Sequence, residues 1–406
     1  MTTDALKVYY GGFMGGSLSP LGLDFGYCGR CVYCFSDLSG QPKANFKQAM
    51  SLLATYRKRE TLAADLLQQG YPVMISGTSD PFTPQHAKTS LPMLEVLSEL
   101  GIRVEFATKG GDAAYEALEM LPWKVHWYFS IAMLDDTIRE RVEPYAPSIR
   151  ERLKLIEAIV AKGHLVTVGI SPIISDWIAK DAKELVGELS AIGIHGCRVQ
   201  TMHLSPKHKK NIPAKWLDRI NPEELKKASQ GWRYPEQQET HDLVKNLVLE
   251  SGLHFIDSQI KERSSYYDAI GDLYPKHFPA SQQFVNWCHD NKNPGDMVTW
   301  QEYKDFFVPK LPTGKYPVHD YIYARSVASS NGVIFPRHKT TFANLLKDIW
   351  RNPQVTLSPC NSECFALAGL PDGDGFKLVV DDANMPILIF LPEGCEYAIA
   401  PCQFVA

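Results

Sequence analysis

The stretch "GLDFGYCGRCVYCFSDLSG", residues 22–40, carries three thiols within seven positions, after which the chain has no cysteine until Cys197. The three are Cys28, Cys31 and Cys34. The residues that lead into them, "SPLGLDFG", predict a strand that runs directly into the cysteine loop. A loop of small residues after a strand lets three side chains converge, and this end of a strand is where α/β folds place their sites.

From this loop to residue 205, short β-rich runs alternate with amphipathic helical stretches. Strands are predicted over residues 19–26, 71–82, 102–111, 123–134, 164–174 and 194–205. Helices are predicted over residues 44–70, 90–101, 112–121, 137–163 and 179–193. Strands that alternate with crossover helices indicate a parallel sheet of the α/β class with both faces covered. Periodicity alone allows an open sheet, a partial barrel or a doubly wound sheet.

The composition is that of a soluble globular protein, with 45% hydrophobic and 22% charged residues among 406. No apolar run is long enough to span a bilayer, and the first 16 residues lack the pattern of a signal peptide. The odd count of nine cysteines does not resemble a disulfide framework. We therefore expect a cytoplasmic protein with reduced thiols. A net charge of −4 argues against a large polyanion-binding surface but leaves a local one open.

The pattern changes after residue 205, so three regions are predicted. These are a core barrel over residues 1–205, a mainly helical extension over 206–330, and a small cysteine-containing β-rich domain over 331–406. The extension begins with a basic stretch, residues 206–227, which has seven Lys or Arg against three acids. It could hold a phosphate-bearing substrate, with Trp216 or Trp232 stacked on a base. The alternative is a solvated helix face.

The last region holds four more thiols in the pattern C-x3-C and C-x6-C: Cys360, Cys364, Cys395 and Cys402. Four cysteines can hold a structural zinc ion or an auxiliary iron–sulfur cluster. Buried cysteines without metal are the alternative, because a free cysteine often behaves as a small core hydrophobe.

Three clustered thiols allow two kinds of metal site. They are one ligand short of a [4Fe–4S] cluster, so one iron would keep open positions for another ligand. They could also bind zinc together with a distant cysteine or histidine. With zinc, the protein would be a zinc-stabilised nucleic-acid-binding protein. A third interpretation has no metal site, and the protein is then a doubly wound enzyme whose thiols are incidental.

Six short motifs help to decide between these interpretations of the thiols. Each lies near a predicted strand end or in the helix that follows, and their order along the chain is informative. They are "RCVYCF" (30–35), "GTSDPFTP" (77–84), "ATKGG" (107–111), "FSIA" (129–132), "VEPYAPSIRERL" (142–153) and "GISPII" (169–174). Together they resemble the radical S-adenosylmethionine (SAM) superfamily, and within it the branch related to spore photoproduct lyase. The resemblance covers residues 15–205. It departs from the superfamily's usual C-x3-C-x2-C spacing, because Tyr27 stands where the first cysteine would fall.

The resemblance implies a partial (β/α)6 TIM-like barrel and an enzyme that holds a [4Fe–4S] cluster on Cys28, Cys31 and Cys34. It implies that the cluster cleaves SAM reductively and that the resulting 5′-deoxyadenosyl radical abstracts hydrogen from a substrate. An external one-electron reductant of the flavodoxin or ferredoxin type is implied as a partner. The cofactor-binding residues implied are Tyr33, Gly77, Thr78, Ser79, Lys109, Ser130 and Ser171.

Each of these residues takes an expected role from its position in the motifs. Tyr33 is expected at the adenine, and the stretch 77–79 at the methionine amino group. Lys109 is expected to pair with the SAM carboxylate, and Ser130 to bond the ribose or the carboxylate, with Ser171 nearby on the rim. The stretch "GTSDP" could instead be only a turn in which Asp80 caps a helix.

Photoproduct lyase activity itself is not supported. Those lyases place a hydrogen-donating cysteine near the end of the second strand, whereas residues 73–81 read "VMISGTSDP" and hold no thiol. Cys197, on the sixth predicted strand, is the remaining candidate for that role.

Overall fold

A computed structural model of the chain describes part of its 406 residues. The described residues are 9–10, 18–19, 22–23, 25, 28, 31–34, 46–59, 64, 67–75, 79–201, 238–256, 281–307, 309, 376–380 and 386–392. Several residues singled out in the sequence lie outside them, namely Tyr27, Gly77, Thr78, Trp216, Trp232, the basic stretch 206–227 and the four cysteines of the last region.

Twelve strands are found in the described residues. They are β1 (Tyr9–Tyr10), β2 (Leu18–Ser19), β3 (Gly22–Leu23), β4 (Val73–Ile75), β5 (Val104–Thr108), β6 (His126–Ser130), β7 (Leu165–Ile173), β8 (Gly196–Thr201), β9 (His254–Ile256), β10 (Met297–Val298), β11 (Phe376–Val380) and β12 (Pro386–Phe390).

The same residues form ten α-helices and a 3-10 turn at Tyr56–Lys58. The helices are α1 (Phe46–Thr55), α2 (Pro84–Glu99), α3 (Asp112–Met120), α4 (Asp136–Val142), α5 (Ile149–Ala161), α6 (Ser175–Ile178), α7 (Ala182–Ile192), α8 (Gln238–Glu250), α9 (Ser281–Asn291) and α10 (Trp300–Phe307).

The main sheet has seven strands, β3 to β9, in the order in which they occur along the chain. Every neighbouring pair is parallel. The predicted α/β class is therefore confirmed. A doubly wound sheet reverses its strand order at a switch point, whereas this order runs in one direction, as it does in a partial barrel.

All six predicted strands are present as β3 to β8, and β9 adds a seventh. Strand β9 follows helix α8 and pairs with β8 through Gly196 and His254. It arises from a segment that the sequence predicts to be helical or irregular. The sheet thus continues past residue 205, and the division of the chain at residues 205 and 330 stays a prediction.

Two of the predicted helices are interrupted. The stretch 137–163 forms α4 and α5, separated by the turn that contains Pro144 and Pro147, because proline cannot continue a helix from its interior. The stretch 44–70 begins as α1 and the 3-10 turn, and then Arg59 is extended, with φ −103° and ψ 139°.

The apolar core lies between the outer face of the sheet and the helices. Strand residues such as Phe106, Trp127 and Val168 are fully buried there, packed with helix residues such as Leu97 and Leu155. The Trp127 ring centroid lies 4.4 Å from that of Phe106. Alternation along each strand sends every second side chain to the opposite, inner face.

The inner face of the sheet is polar. Its buried residues include Glu105, His126, Thr167 and Arg198, although the interior of a parallel barrel is usually filled with branched aliphatic side chains. The His126 Nε2 and the Thr167 hydroxyl are 2.7 Å apart. These residues lie on the strands β5 to β8, on the face opposite the apolar core.

The β-rich domain predicted over residues 331–406 stays a prediction, and two strands, β11 and β12, are described within it. Strand β12 pairs antiparallel with β11 and also with β10, in a three-stranded sheet. A separate antiparallel pair joins β1 to β2. Among the described residues, no helix is long and apolar enough to cross a membrane.

Buried histidines make the stability of the fold depend on pH. Burial lowers the pKa of His126 to about 3 and that of His164 and His195 to about 4. The unfolded chain has the ordinary value of about 6.5 and binds more protons below it. We expect the free energy of unfolding, measured in urea, to be highest above pH 6.5 and to fall as the pH is lowered toward 4.

A His126→Gln variant should flatten this profile, because one of the protons taken up on unfolding is removed. The exposed His289 provides the control, and its replacement by glutamine should leave the profile unchanged. A wild-type free energy of unfolding that is constant between pH 7 and pH 4.5 would contradict the assignment.

Candidate active site

The parallel order of β3 to β6 brings four chain segments to one edge of the sheet. The cysteine loop follows β3, Ser79 and Asp80 follow β4, Lys109 follows β5, and Ser130 ends β6. The carboxyl ends of parallel strands meet at the same edge, so residues distant in the chain become neighbours there. The sequence predicted this edge as the site.

The three thiols of the loop are all partly exposed. The Cys34 amide donates to the Cys31 carbonyl at 3.1 Å, which closes a turn between these two residues. Burial raises the pKa of Cys31 to about 12, and the negative charges of Cys28 and Cys34 add to that rise while Lys109 opposes it. The three sulfurs therefore lie within electrostatic reach of one another and of a cation.

The donor set of the loop fits an iron–sulfur cluster. A zinc ion gathers its ligands within about 2.0–2.3 Å of one centre, whereas each thiolate on a [4Fe–4S] cluster binds a different iron. The fit is one of donor type and number, because among the described residues no group of three or more His, Cys, Asp or Glu side chains is arranged to hold a metal ion. Three partly exposed thiols beside a lysine suit a cluster that keeps one iron free of cysteine.

The loop is docked on the end of helix α4. The Val32 amide donates to the Val142 carbonyl at 3.0 Å. The Tyr33 ring packs against Trp177, with 5.8 Å between the ring centroids. Both side chains belong to an apolar cluster that includes Met133. These contacts fix the two residues that stand between Cys31 and Cys34.

Glu143 is the centre of the polar contacts. Its side chain has no exposed surface, and it accepts from the Tyr33 hydroxyl, from Lys109 Nζ at 3.0 Å and from Arg152 Nη2. Burial alone would raise the pKa of Glu143, but Lys109, Arg152 and these hydrogen bonds together lower it to about 2. Glu143 is therefore an ionised carboxylate inside the protein.

Lys109 uses all three of its ammonium donors within the site. Its Nζ donates to the Ser130 hydroxyl at 2.7 Å, and at 3.0 Å to both the Tyr33 hydroxyl and Glu143 Oε1. The side chain retains 16% exposure. Lys109 and Ser130, both predicted as cofactor-binding residues, are thus brought together.

Arg152 is fixed from three sides and is not exposed. In addition to Glu143, it donates from Nη1 to the Ser130 carbonyl and from Nε to the Pro147 carbonyl, both at 3.0 Å. Its guanidinium is therefore held by the protein itself. Of the two cations on Glu143, Lys109 is the one whose side chain is partly exposed.

Asp80 ties the ends of β4 and β5 together. Its carboxylate accepts from the Lys109 amide at 2.7 Å, from the Thr108 hydroxyl at 2.8 Å and from the Phe82 amide at 3.0 Å. Its own backbone N–H faces the Cys28 sulfur. The alternative in which Asp80 caps helix α2 is wrong, because the Thr83 hydroxyl accepts from the His86 amide and provides that cap.

The glycines after Lys109 allow a sharp exit from β5. Gly110 and Gly111 have φ of +90° and +124°, a range that favours glycine. A Cβ on Gly110 would lie 3.0 Å from the Leu155 side chain. The backbone can therefore turn away while Lys109 stays at the edge.

The other residues predicted to have a role, among those that the structure describes, are Ser79, Ser171 and Cys197. Ser79 accepts from the Phe25 amide at 3.3 Å beside the cysteine loop. Ser171 lies in β7 and precedes a cis peptide bond to Pro172. Cys197 is fully buried in the apolar core on the outer face, so it does not face the inner surface and is no candidate for a hydrogen donor there.

Sequence reasoning did not assign roles to Glu143 and Arg152. Both lie in the motif "VEPYAPSIRERL", which the sequence analysis places within one long helix. The two prolines of that motif were the available signal, because they predict a break that can turn a charged residue inward.

Comparison with solved structures returns chains that resemble this one over part of its length. A spore photoproduct lyase variant with bound AdoMet and dinucleoside spore photoproduct is 19% identical, with a TM-score of 0.45, over 60% of this chain and 76% of that chain. A radical SAM methyltransferase from Sphaerobacter thermophilus is 17% identical, with a TM-score of 0.40, over 59% of this chain and 65% of that one. Streptococcus suis SuiB bound to S-adenosylmethionine is 16% identical, with a TM-score of 0.39, over 62% and 54%.

No family model matches the sequence. Among curated proteins, an uncharacterised protein of Acidianus two-tailed virus, ORF301, is 28% identical over 146 residues, which are 33% of this chain. The match spans 47% of the length of that relative. These comparisons leave the function to be argued from the residues of the site.

Removal of the buried charge should destabilise the protein. Glu143→Gln leaves Lys109 and Arg152 without their carboxylate, and the loss of one partner from a buried ion pair costs about 3–5 kcal/mol. We expect a loss of that size in the free energy of unfolding, measured in urea at pH 7. The matched control is Glu151→Gln. Glu151 forms an exposed capping box with Ser148 in which glutamine can take its place, so the loss should be below about 1 kcal/mol. Equal losses in the two variants would contradict the central place of Glu143.

Proposed function

We propose that this protein is a radical SAM enzyme that holds a [4Fe–4S] cluster on Cys28, Cys31 and Cys34 and cleaves SAM reductively. One observation carries the proposal. The loop with the three thiols is docked beside Lys109, a partly exposed cation, at the carboxyl end of a parallel sheet in sequential order. This arrangement offers a place for a metal cluster and, next to it, a cation for the carboxylate of an amino acid.

A [4Fe–4S] cluster held by Cys28, Cys31 and Cys34 would supply one electron to the SAM sulfonium, whose C5′–S bond would then break to give methionine and a 5′-deoxyadenosyl radical able to abstract hydrogen from a substrate. The residues of the chain hold and orient the reactants. Lys109 is assigned to the SAM carboxylate, which would replace one of the three acceptors that the ammonium now bonds. Ser130, one of those acceptors, is assigned to the same group or to the ribose. The remaining SAM contacts are assigned to Tyr33, Gly77, Thr78, Ser79 and Ser171.

The charged groups of the site are two cations and two carboxylates. Lys109 and Arg152 both contact Glu143. Asp80 accepts from the Lys109 amide, the Phe82 amide and the Thr108 hydroxyl. Of the two cations, Arg152 also donates to two protein carbonyls, so Lys109 is the one assigned to an anionic group of the ligand.

The polar inner face of the sheet supports a substrate with hydrogen-bonding or anionic groups, because Tyr128, Thr167 and Arg198 are buried there beneath the site. A nucleotide or nucleic acid, favoured by the basic stretch 206–227, fits this description. The electron would come from an external reductant of the flavodoxin or ferredoxin type.

Anaerobic reconstitution with iron and sulfide tests the proposal. The protein should turn brown, absorb broadly in the visible and retain about four iron atoms per chain. With SAM and dithionite it should release 5′-deoxyadenosine, measured by chromatography. Cys31→Ser should lose both the iron and the product, because it removes one of the three thiolate ligands.

The control is Cys197→Ala, which removes a thiol that lies in the apolar core. It should keep the iron and the 5′-deoxyadenosine of the wild-type protein. Colourless protein that retains zinc through Cys28, Cys31 and Cys34 would overturn the proposal in favour of the zinc-stabilised binding protein.

A further inference from the structure

Three side chains form a closed triangle of hydrogen bonds at the centre of the site. The Tyr33 hydroxyl donates to Glu143 Oε1, and Lys109 Nζ donates to the same oxygen at 3.0 Å. Lys109 Nζ also donates to the Tyr33 hydroxyl at 3.0 Å. The triangle therefore joins the cysteine loop, the end of β5 and the end of α4 through one buried carboxylate.

The triangle fixes the position of the lysine. A lysine side chain has four flexible carbons and three rotatable donors, so a single acceptor leaves its ammonium several positions. Here the three acceptors are Tyr33, Glu143 and Ser130, on three different elements. Nζ lies 5.4 Å from the Tyr33 ring centroid, at the hydroxyl end of the ring.

The same carboxylate fixes the loop. Val32 and Tyr33 lie between two of the thiols and bond adjacent residues at the end of α4, the first to the Val142 carbonyl and the second to Glu143. The two residues between Cys31 and Cys34 are thereby both hydrogen-bonded to the end of α4.

We propose that Glu143 is a positioning residue that sets Lys109 for the carboxylate of SAM and holds the cysteine loop in place, with the Tyr33 hydroxyl as the link between these two tasks. The inference rests on the proposed function. If Glu143 has both tasks, recognition of the SAM carboxylate and retention of iron by the loop are coupled. Binding of SAM should then favour retention of iron, and bound iron should favour binding of SAM.

The test compares the binding of SAM with that of decarboxylated SAM, by calorimetry on the reconstituted full-length protein. The wild type should bind SAM about tenfold more tightly or better, since only SAM offers a carboxylate to Lys109. In Lys109→Met the preference for SAM should fall to the part that the contact of the carboxylate with the open iron provides. Tyr33→Phe removes the link but keeps all charges, and should reduce the preference for SAM about three- to tenfold.

A second readout follows the loop. Loss of iron to a chelator should be about threefold faster or more in Tyr33→Phe than in the wild type. In the double variant Tyr33→Phe/Lys109→Met, the ratio of the two affinities should equal that of Lys109→Met alone, because Tyr33 acts on the carboxylate through Lys109.

The control is Tyr56→Phe. Tyr56 is a buried tyrosine whose hydroxyl accepts from Arg57 Nε at 3.2 Å outside the site, and its replacement should change neither readout. Circular dichroism and the urea midpoint of Tyr33→Phe establish that the variant is folded. This isosteric change avoids the larger destabilisation expected of Glu143→Gln.

A wild-type affinity ratio and a wild-type rate of iron loss in folded Tyr33→Phe would overturn the positioning role. A change in only one of the two readouts would overturn the coupling. In both cases the proposed function would still stand, provided that the wild-type protein retains iron and releases 5′-deoxyadenosine. A wild type that retains no iron would instead defeat the proposed function itself.

Discussion

The ionised carboxylate of Glu143 lies inside the protein, in contact with two cations and a phenol that come from three distant parts of the chain. A buried charge is stable only when its partners are held in good geometry. The geometry comes from Pro144 and Pro147, which end α4 and turn Glu143 inward, and from the carbonyls that hold Arg152. Lys109 and Tyr33 complete it, so the site can form only when strand ends and loop are already assembled.

The order of the sheet makes this assembly feasible. Because β3 to β6 are consecutive and parallel, their carboxyl ends lie side by side, and short loops are enough to bring the thiols, Asp80 and Lys109 together. Asp80 then locks the second and third of these loops to each other through the Lys109 amide. The outer face of the sheet carries the apolar core, which leaves the inner face free for polar residues such as Arg198.

Much of this could be predicted from the sequence, because it depends on local patterns. Alternation of strands and helices predicted the six strands β3 to β8, and the motifs placed Lys109 and Ser130 at the same edge. Glu143 was not assigned a role, because the stretch 137–163 was interpreted as one helix although Pro144 and Pro147 predict a break in it. Strand β9 was missed because three residues, His254–Ile256, carry too short a pattern to indicate a strand. The role of Asp80 depends on a contact with Lys109, which lies 29 positions away along the chain.

The central claim is that the three thiols leave one iron free for the methionine part of SAM beside Lys109. Electron–nuclear double resonance of the reduced, reconstituted protein tests this most directly, with SAM labelled by 15N in its amino group and 13C in its carboxylate. The account predicts hyperfine coupling from both labels to the cluster, because both groups would lie on or next to one iron. A cluster signal without coupling to either label would contradict the account.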